Sequence, residues 1–306
     1  MKSIGYVSAL ALVLAACSAG EETNASAMDQ GEAANEVPQT PVDNGAESMD
    51  EMASETSLAD VIAHERRDAN SARDEWCHPM ETLSFFGIEP DMTIVEVLPG
   101  NGGWYSQILT PLTADQGRLI GVTYPDSLWV QMFPQWSEAN YERYGADITQ
   151  MGRYLSVEGV ESVQPIVGYT IDNIPDEENE QADAVLFFRA MHHLFRFEEP
   201  LVNAALAEVF DMMAPGGVVG VVQHRAPENA DDDFANGNNG YLRQSDVIAA
   251  FERAGFILEE TSEVNANPND PADSIVWRLP PSSQNNPDTL AIGESDRMTL
   301  RFRKPA

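Results

Sequence analysis

The sequence predicts an α/β protein built on a Rossmann-like, doubly wound and mostly parallel sheet. From about residue 93 onward, short apolar runs alternate with stretches of helical periodicity, which is the pattern of strands joined by crossover helices. The run Ala184–Phe188 is entirely apolar, as expected of a strand that is covered on both faces. A glycine turn, PGNGG at residues 99–103, separates the first strand from the helix that follows it.

The predicted elements follow one another along the chain. A broken helical segment at Leu58–Phe86 precedes the sheet and ends at Gly87. Apolar runs of strand length occupy residues 93–98, 118–123, 163–169, 184–188 and 218–222. Helical stretches occupy residues 102–112, 128–144, 202–213 and 244–254. Two late strands at 257–264 and 298–302 alternate polar and apolar residues, which is typical of antiparallel strands.

The first 17 residues have the pattern of a secretory signal. Lys2 precedes an apolar run that is too short to span a bilayer comfortably. The run ends in Leu14-Ala15-Ala16-Cys17, which resembles the lipobox of bacterial lipoproteins and implies lipidation of Cys17. An ordinary small-residue cleavage site is the alternative. The lipobox interpretation predicts a protein of the cell envelope, periplasmic and lipid-anchored to a membrane.

Three parts are therefore expected: a signal peptide at 1–17, a disordered acidic tether at 18–57, and a folded domain at 58–306. The tether contains many Asp and Glu residues, no Lys or Arg, and little to bury. The whole chain has a net charge of −33, which would repel phosphate backbones and argues against a nucleic-acid partner. Membrane attachment would depend on the acyl anchor, because anionic lipid heads also repel such a chain.

Removing Cys17 from the count leaves Cys77 as the one remaining cysteine. An intrachain disulfide then has no second partner, so the fold must be stabilised by its core. A lone buried cysteine is the expected role of Cys77.

The glycine turn after the first strand predicts a ligand site. In open α/β sheets, ligands bind beyond the carboxyl ends of the strands, where the strand order reverses. Glycine lets the backbone approach a ligand closely, and the following helix presents free N–H groups. Gly100 and Gly102 fit the first two glycines of the dinucleotide-binding pattern GxGxxG, but Tyr105 occupies the position of the third glycine. A phosphate loop is excluded because no GKS or GKT follows the turn.

The remaining motifs narrow the class. In order along the chain they are Glu96, Gly100-Asn101-Gly102, Asp183-Ala184-Val185-Leu186, His192-His193-Leu194, Ala214-Pro215-Gly216-Gly217 and Ala254-Gly255-Phe256. Their order and spacing over residues 92–302 resemble class I S-adenosylmethionine-dependent methyltransferases. The strings HPMETLSFFGI, PGNGGWYSQIL, HRAP, SEVNANPNDP, WRLPPS and GESDRMTLRF are similar to a family of bacterial predicted methyltransferases. The resemblance implies a seven-stranded sheet with antiparallel last strands, and S-adenosylmethionine as cofactor.

The same resemblance assigns cofactor-binding roles, with two departures. The residues implied are Glu96, Pro99, Gly100, Asn101, Gly102, Tyr124, Tyr169, Asp172 and Arg189. Leu98 stands where the first glycine of the turn is usual. Thr123 replaces the acidic residue that takes the ribose hydroxyls, and Asp126 or Tyr124 is the expected substitute.

Side chains at the ends of the fourth and fifth strands face the predicted crevice. His192 and His193 follow the fourth strand and His224 ends the fifth, so these three are the candidate catalytic residues, with an imidazole as general base. Arg225 is a candidate for binding an acidic substrate, and an ion pair with the run Asp231–Asp233 is its alternative. No histidine spacing here resembles a metal pattern, so no metal is predicted.

The long connection between the two late strands also predicts function, because such loops usually carry binding residues. Trp277 in this loop, and Glu263 at the end of the strand before it, are candidate substrate residues. Together the sequence predicts a methyltransferase with an unknown small-molecule or envelope acceptor. A catalytically inactive ligand-binding lipoprotein with the same fold is the alternative, since Leu98 and Thr123 depart from the pattern. Aminopropyl transfer with a decarboxylated cofactor is a third hypothesis.

Overall fold

A computed structural model describes residues 56–100, 103–135, 155–197 and 199–306. The predicted signal peptide, the lipidation site Cys17 and almost all of the tether lie outside these residues. Asn101 and Gly102 of the glycine turn also lie outside them, as does most of the predicted helix at 128–144. No helix in the described ranges has the length and apolar composition that crossing a membrane requires.

The described residues form one sheet whose strand order is β3-β2-β1-β4-β5-β8-β7. Its strands are β1 Thr93–Val97, β2 Arg118–Thr123, β3 Val167–Thr170, β4 Ala182–Phe188, β5 Met213–Ala226, β7 Ile257–Ser262 and β8 Arg297–Arg303. The first five are parallel, while β8 runs antiparallel to both of its neighbours. The two-residue β6, Leu242–Arg243, pairs with the end of β5 outside this order. The predicted doubly wound sheet with antiparallel last strands is confirmed.

Helices connect the strands as the alternating pattern predicts. In chain order they are α1 Leu58–Ala63, α2 Asp74–Cys77, α3 Pro79–Phe86, α4 Ser106–Thr113, α5 Asp126–Met132, α6 Met191–Phe195, α7 Glu199–Met212, α8 Asp232–Ala235, α9 Gln244–Arg253 and α10 Pro287–Leu290. Gly87 ends α3 in the left-handed conformation that suits a C-cap glycine. The N-terminal helical segment is more broken than predicted, with short 3₁₀ turns between α1 and α2.

The core lies on both faces of the sheet, and β1 shows how the alternation divides it. Val95 and Val97 pack in the cluster that contains α7 and α9. Ile94 packs in the opposite cluster, with side chains of α3 and α4. Because successive strand residues point to opposite faces, Glu96 lies on the Ile94 side, toward α4.

Several predicted boundaries are wrong. β3 begins at Val167 and not at residue 163, and α4 begins at Ser106 and not at residue 102. Pro215-Gly216-Gly217 is predicted to end the helix before the fifth strand, whereas the structure includes these residues in a long β5. The register between β4 and β5 shifts at this point, between Ala182 and Ala184. Gly217 permits a close approach there, since a Cβ would lie 2.9 Å from the Ala214 carbonyl oxygen.

Candidate functional site

The strand order reverses between β1 and β4. From β1 the chain moves outward through β2 and β3, and then returns to place β4 on the other side of β1. In open α/β sheets, the crevice where ligands bind lies outside the carboxyl ends of two such strands. The glycine turn follows β1, and Arg189 with α6 follows β4, so the topology brings both predicted groups of residues to the crevice.

The turn after β1 has the backbone conformation that a glycine pattern predicts. Gly100 has φ +73° and Gly103 has φ +43°. Leu98 has φ +54°, so it adopts the left-handed conformation that normally favours glycine, although it carries a side chain. Its N–H donates to the Val122 carbonyl oxygen at 2.7 Å, which fixes the turn to β2. The Leu98 substitution therefore keeps the backbone geometry expected of the turn.

The space beside Gly100 is open among the described residues. A Cβ placed on Gly100 would meet only the Leu98 carbonyl oxygen, 4.0 Å away. The Leu98 side chain is half-buried and packs against the core cluster on the α7 side of the sheet. The described neighbours of Gly100 therefore leave room for a ligand atom close to its backbone.

Glu96 is a buried carboxyl directly beneath this turn. It is 3% exposed and accepts a hydrogen bond from the Ser106 hydroxyl at 2.6 Å. Burial raises the pKa of Glu96 to about 7, and the Ser106 hydrogen bond acts in the opposite direction. The raised pKa favours the protonated form of Glu96, and the hydrogen bond links the end of β1 to the first turn of α4.

Tyr105 anchors the far side of the turn. Its ring stacks on Phe188 at the end of β4, with centroids 3.5 Å apart and planes inclined by 6°. Its hydroxyl donates to the Cys77 carbonyl oxygen at 3.2 Å. The residue that departs from the dinucleotide pattern thus joins the turn to β4 and to α2.

Tyr124 does not lie where a ribose contact needs it. Its side chain is completely buried, and its hydroxyl donates to the Ala190 carbonyl oxygen at 2.7 Å. The predicted cofactor role is corrected for this reason: the hydroxyl joins the end of β2 to the segment after β4. Thr123 is also buried, whereas Asp126 is exposed at the start of α5. Of the two expected substitutes, Asp126 alone presents its side chain at the surface.

The two residues predicted near the adenine lie at and after the end of β3. The Tyr169 hydroxyl donates to Glu178 at 2.7 Å, and Glu178 also forms a bidentate ion pair with Arg118. Asp172 is exposed in the turn that follows β3. Tyr169 is half-buried, so its ring keeps some accessible surface while its hydroxyl is engaged.

The three predicted catalytic histidines and Trp277 meet in one cluster. The His192 ring centroid lies 4.0 Å from that of His193, 5.6 Å from that of His224 and 6.0 Å from that of Trp277. Nδ1 of His224 is 2.5 Å from the Ser295 hydroxyl, and the side chain of His192 contacts the Gln223 amide. Strand ends that are adjacent in the sheet thus bring together residues from α6 after β4, from β5 and from the late loop.

These histidines are neutral at physiological pH. Burial lowers the pKa of His192 to about 3, against the effect of its Gln223 contact. Burial also holds the pKa of His193 and His224 well below the usual range, and neighbouring positive groups add to this. A general base works best when its pKa is near the working pH. The lowered pKa makes these imidazoles weaker proton acceptors and favours hydrogen bonding and positioning, while the general-base role stays a prediction.

Arg225 is occupied by carboxylates of its own chain. It pairs bidentately with Glu263 at 2.7 and 2.8 Å and with Asp296 at 2.9 Å. Arg225 therefore forms ion pairs, as the alternative predicted, but its partners are not the predicted run Asp231–Asp233. Since Arg225 and Glu263 bind each other, neither offers a free charge, and their predicted substrate roles are corrected.

Four residues that the sequence did not single out for the site lie beside it. Glu294 accepts hydrogen bonds from Arg73 at 2.7 and 3.1 Å and from Arg297 at 3.0 Å. The Cys77 sulfur lies between the two guanidinium groups, 3.5 Å from Arg73 and 3.7 Å from Arg297. Cys77 is free and buried, as predicted. We call Arg73, Cys77, Glu294 and Arg297 the arginine cluster.

The chain is similar at low sequence identity to several solved methyltransferase structures. No protein-family model matches the chain, and no curated protein matches it. A SAM-dependent methyltransferase from Aquifex aeolicus is 14% identical, with 81% of this chain and 98% of that chain covered and a TM-score of 0.46. A geranyl diphosphate methyltransferase in complex with SAM is 14% identical, with 81% and 90% covered and a TM-score of 0.47.

A SAM-dependent methyltransferase from Methanosarcina mazei is 8% identical, with 73% of this chain and 96% of that chain covered and a TM-score of 0.44. At these identities and TM-scores the likenesses decide no residue's role. The fold class rests on the strand order and the register of this chain. Within the described ranges, no group of three or more His, Cys, Asp or Glu side chains is arranged to hold a metal ion.

Proposed function

We propose that the chain is an S-adenosylmethionine-dependent methyltransferase that acts on a small-molecule or envelope-component acceptor. The observation that carries the proposal is the left-handed, open turn at the strand-order reversal, with space beside Gly100 and a buried carboxyl at Glu96. This combination suits a ligand that contacts the protein backbone at the turn. Two of the motifs that resemble class I methyltransferases, Glu96 and Gly100-Asn101-Gly102, belong to the end of β1 and to this turn in the sequence.

The chain offers specific groups for holding such a cofactor. The backbone of the turn at Pro99 and Gly100 would contact its amino-acid part, and Asp126 would accept hydrogen bonds from the ribose hydroxyls. Tyr169 and Asp172 border the proposed adenine side. When bound, S-adenosylmethionine supplies a methyl group on a sulfonium and leaves as a neutral thioether.

The residues around the acceptor act by positioning. His192, His193 and His224 stay neutral, so they add no charge. Nε2 of His192 and Nδ1 of His193 are buried without a hydrogen-bond partner among the described residues, which leaves them available to an acceptor group. Trp277 covers the same cluster and contributes to the exclusion of water. Methyl transfer depends mainly on alignment of the nucleophile, so an acceptor that does not need to lose a proton before attack fits this site best.

The proposed location is the cell envelope, with a lipid anchor on Cys17 and a periplasmic domain. This part of the proposal rests on the sequence of the first 17 residues, and it favours acceptors that are found in the envelope. The net charge of −33 argues against nucleic acid as an acceptor.

A ligand-binding lipoprotein without methyl transfer is the second candidate. Thr123 and Tyr124 are both buried, so neither side chain at the end of β2 presents an acceptor to a ribose. If Asp126 does not serve instead, cofactor affinity falls because a charge-assisted hydrogen bond is missing.

Calorimetry with S-adenosylmethionine and S-adenosylhomocysteine tests the proposal. We expect dissociation constants between about 1 μM and 1 mM for the wild type. The variant Asp126→Ala should bind both ligands about tenfold more weakly. The variant Asp211→Ala removes an exposed acid from α7 and serves as the control of equal charge. No heat at millimolar ligand would overturn the cofactor assignment, and binding without turnover of any acceptor would favour the second candidate.

A further inference from the structure

Arg189 has an uncommon backbone conformation at a functional position. It directly follows β4, and its φ of +58° is left-handed, which is rare for a residue with a side chain. Its N–H donates to the Val222 carbonyl oxygen of β5 at 2.7 Å, so the conformation is held by the adjacent strand. Such strained residues are concentrated at ligand and active sites.

The guanidinium of Arg189 has no hydrogen-bond or ion-pair partner among the described residues, although the residue is half-buried. Arginines elsewhere in the described chain generally have carboxylates, for example Arg118 with Glu178 and Arg243 with Asp246. The chain carries 50 acidic residues against 17 basic ones, so carboxylates are plentiful. Arg66 and Arg196 are also half-buried without a carboxylate among the described residues, but neither directly follows a strand at the strand-order reversal. Position and missing partner together therefore single out Arg189.

The surroundings of Arg189 carry excess positive charge. Glu294 is the carboxylate nearby, and Arg73 and Arg297 already share it. Burial, followed by the charge of Arg73, lowers the pKa of Arg189, while Glu294 acts in the opposite direction. An incoming anion would thus meet a cation that the protein has desolvated and not neutralised.

Arg189 also lies on the acceptor side of the crevice. Its charge is close enough to contribute, after burial, to the lowered pKa of His192 and His224. His192 in turn contacts Trp277, whose ring gives this side an apolar surface. Arg225, the arginine that the sequence favoured for an acidic substrate, is saturated by Glu263 and Asp296. The anion-binding role therefore fits Arg189 better, because its guanidinium has no carboxylate partner among the described residues.

We infer that Arg189 binds an anionic group, of carboxylate size, on the methyl acceptor, and that Trp277 contacts the apolar body of the same molecule. The identification of the bound molecule as the methyl acceptor rests on the proposed function, but the binding of an anion at Arg189 does not. A guanidinium suits this role because its planar fork donates two parallel hydrogen bonds to a carboxylate.

Benzoate is a suitable probe, with benzamide as its neutral counterpart of the same shape. Calorimetry with the wild type should detect benzoate, with a dissociation constant on the order of millimolar, and no benzamide at the same concentrations. Arg189→Asn removes the charge and tolerates the left-handed backbone, so it should weaken benzoate binding about tenfold or more. Arg189→Lys keeps the charge and should retain part of the binding. Arg253→Gln, an exposed position on α9, should bind benzoate as the wild type does.

A second experiment separates the acceptor from the cofactor as the source of the anion. Benzoate is titrated into the wild type with and without saturating S-adenosylhomocysteine. If the wild type binds no S-adenosylhomocysteine, the proposed function is wrong, but the benzoate titration still tests Arg189. S-adenosylhomocysteine and 5′-methylthioadenosine, which lacks the carboxylate, are then compared. If Arg189→Asn weakens the binding of S-adenosylhomocysteine about tenfold and leaves the affinity for methylthioadenosine unchanged, Arg189 binds the cofactor and the inference is overturned. It is equally overturned if benzoate fails to bind the wild type or binds Arg189→Asn unchanged.

Discussion

Glu96 beneath the glycine turn and Glu294 in the arginine cluster are two buried carboxyls with opposite surroundings. Glu96 is 3% exposed and Glu294 is 2% exposed, so both have lost nearly all contact with water. Glu96 has one neutral partner, the Ser106 hydroxyl, and burial raises its pKa to about 7. Glu294 has two guanidinium partners: burial acts to raise its pKa, but Arg297 and Arg73 outweigh burial and lower it.

The difference shows two ways in which a protein removes the cost of a buried carboxylate. A proton neutralises Glu96 over part of the pH range, so the charge of this region changes near neutrality. Guanidinium groups neutralise Glu294 at every working pH, because arginine does not lose its proton in proteins. The region near the proposed cofactor site is therefore pH-sensitive, whereas the region near the proposed acceptor site keeps a constant positive charge.

The largest expected effect comes from removing the charge of Glu294. Glu294→Gln leaves the buried Arg297 and the half-buried Arg73 beside each other without their shared carboxylate, and should lower the free energy of unfolding by about 3–5 kcal/mol. Denaturation in urea measures this loss. Glu178→Gln is the matched control, because Glu178 is also buried but serves a single, more exposed arginine. A loss below about 1 kcal/mol for Glu294→Gln would show that the cluster is not a coupled charge network.

A smaller, pH-dependent effect is expected at Glu96. Its folded pKa of about 7 lies above the ordinary value of 4.5, so the folded state holds the proton between these values. The stability that this proton provides is fully present below about pH 4.5 and is lost as the pH rises through 7. The difference in free energy of unfolding between the wild type and Glu96→Gln should therefore fall by about 2–3 kcal/mol from pH 5 to pH 8.

Urea denaturation at several pH values, with Glu89→Gln as an exposed control, checks this expectation for Glu96. The control difference should stay constant over the same range. A constant difference for Glu96→Gln as well would mean that Glu96 is ionised in the folded state throughout, and the contrast with Glu294 would disappear.

The smallest effect is expected at Glu263, which pairs with an arginine as Glu294 does but is exposed. Its side chain is 66% exposed, and Arg225 keeps Asp296 when Glu263 is removed. Glu263→Gln should lower the free energy of unfolding by about 0–1 kcal/mol, measured by the same denaturation at low and high salt. A loss comparable to that of Glu294→Gln would show that burial does not set the value of these ion pairs.

Local signals predicted most of the sheet. Apolar runs and their flanking residues predicted β2 at its observed bounds, and β1 and β4 within two residues at each end. The early end of β5 was misjudged because Pro215 and Gly216 are strong turn signals, and the pairing with β4 overrides them. The histidine cluster was predictable because the ends of adjacent parallel strands meet at one edge of a sheet.

Other parts of the site depended on contacts that no local pattern records. Tyr124 follows β2 as a ligand residue would, yet its burial follows from packing beneath the segment after β4. Arg73 and Glu294 are separated by 221 positions, and neither belongs to a motif that points to the other. Arg225 and Arg189 are both plausible anion-binding residues in the sequence, and the carboxylates around each one decide between them.

The sequence alone determined the order of strands and helices, the glycine turn after β1 and the acidic character of the chain, because periodicity, turn chemistry and charge are properties of neighbouring residues. The tertiary structure decided which charges are compensated: it paired Arg225, joined Arg73 and Arg297 to one glutamate, isolated Glu96 and left Arg189 without a carboxylate among the described residues. The physical reason is that the cost of a buried charge depends on the distances to other charges and to water, and folding brings distant residues together to set those distances.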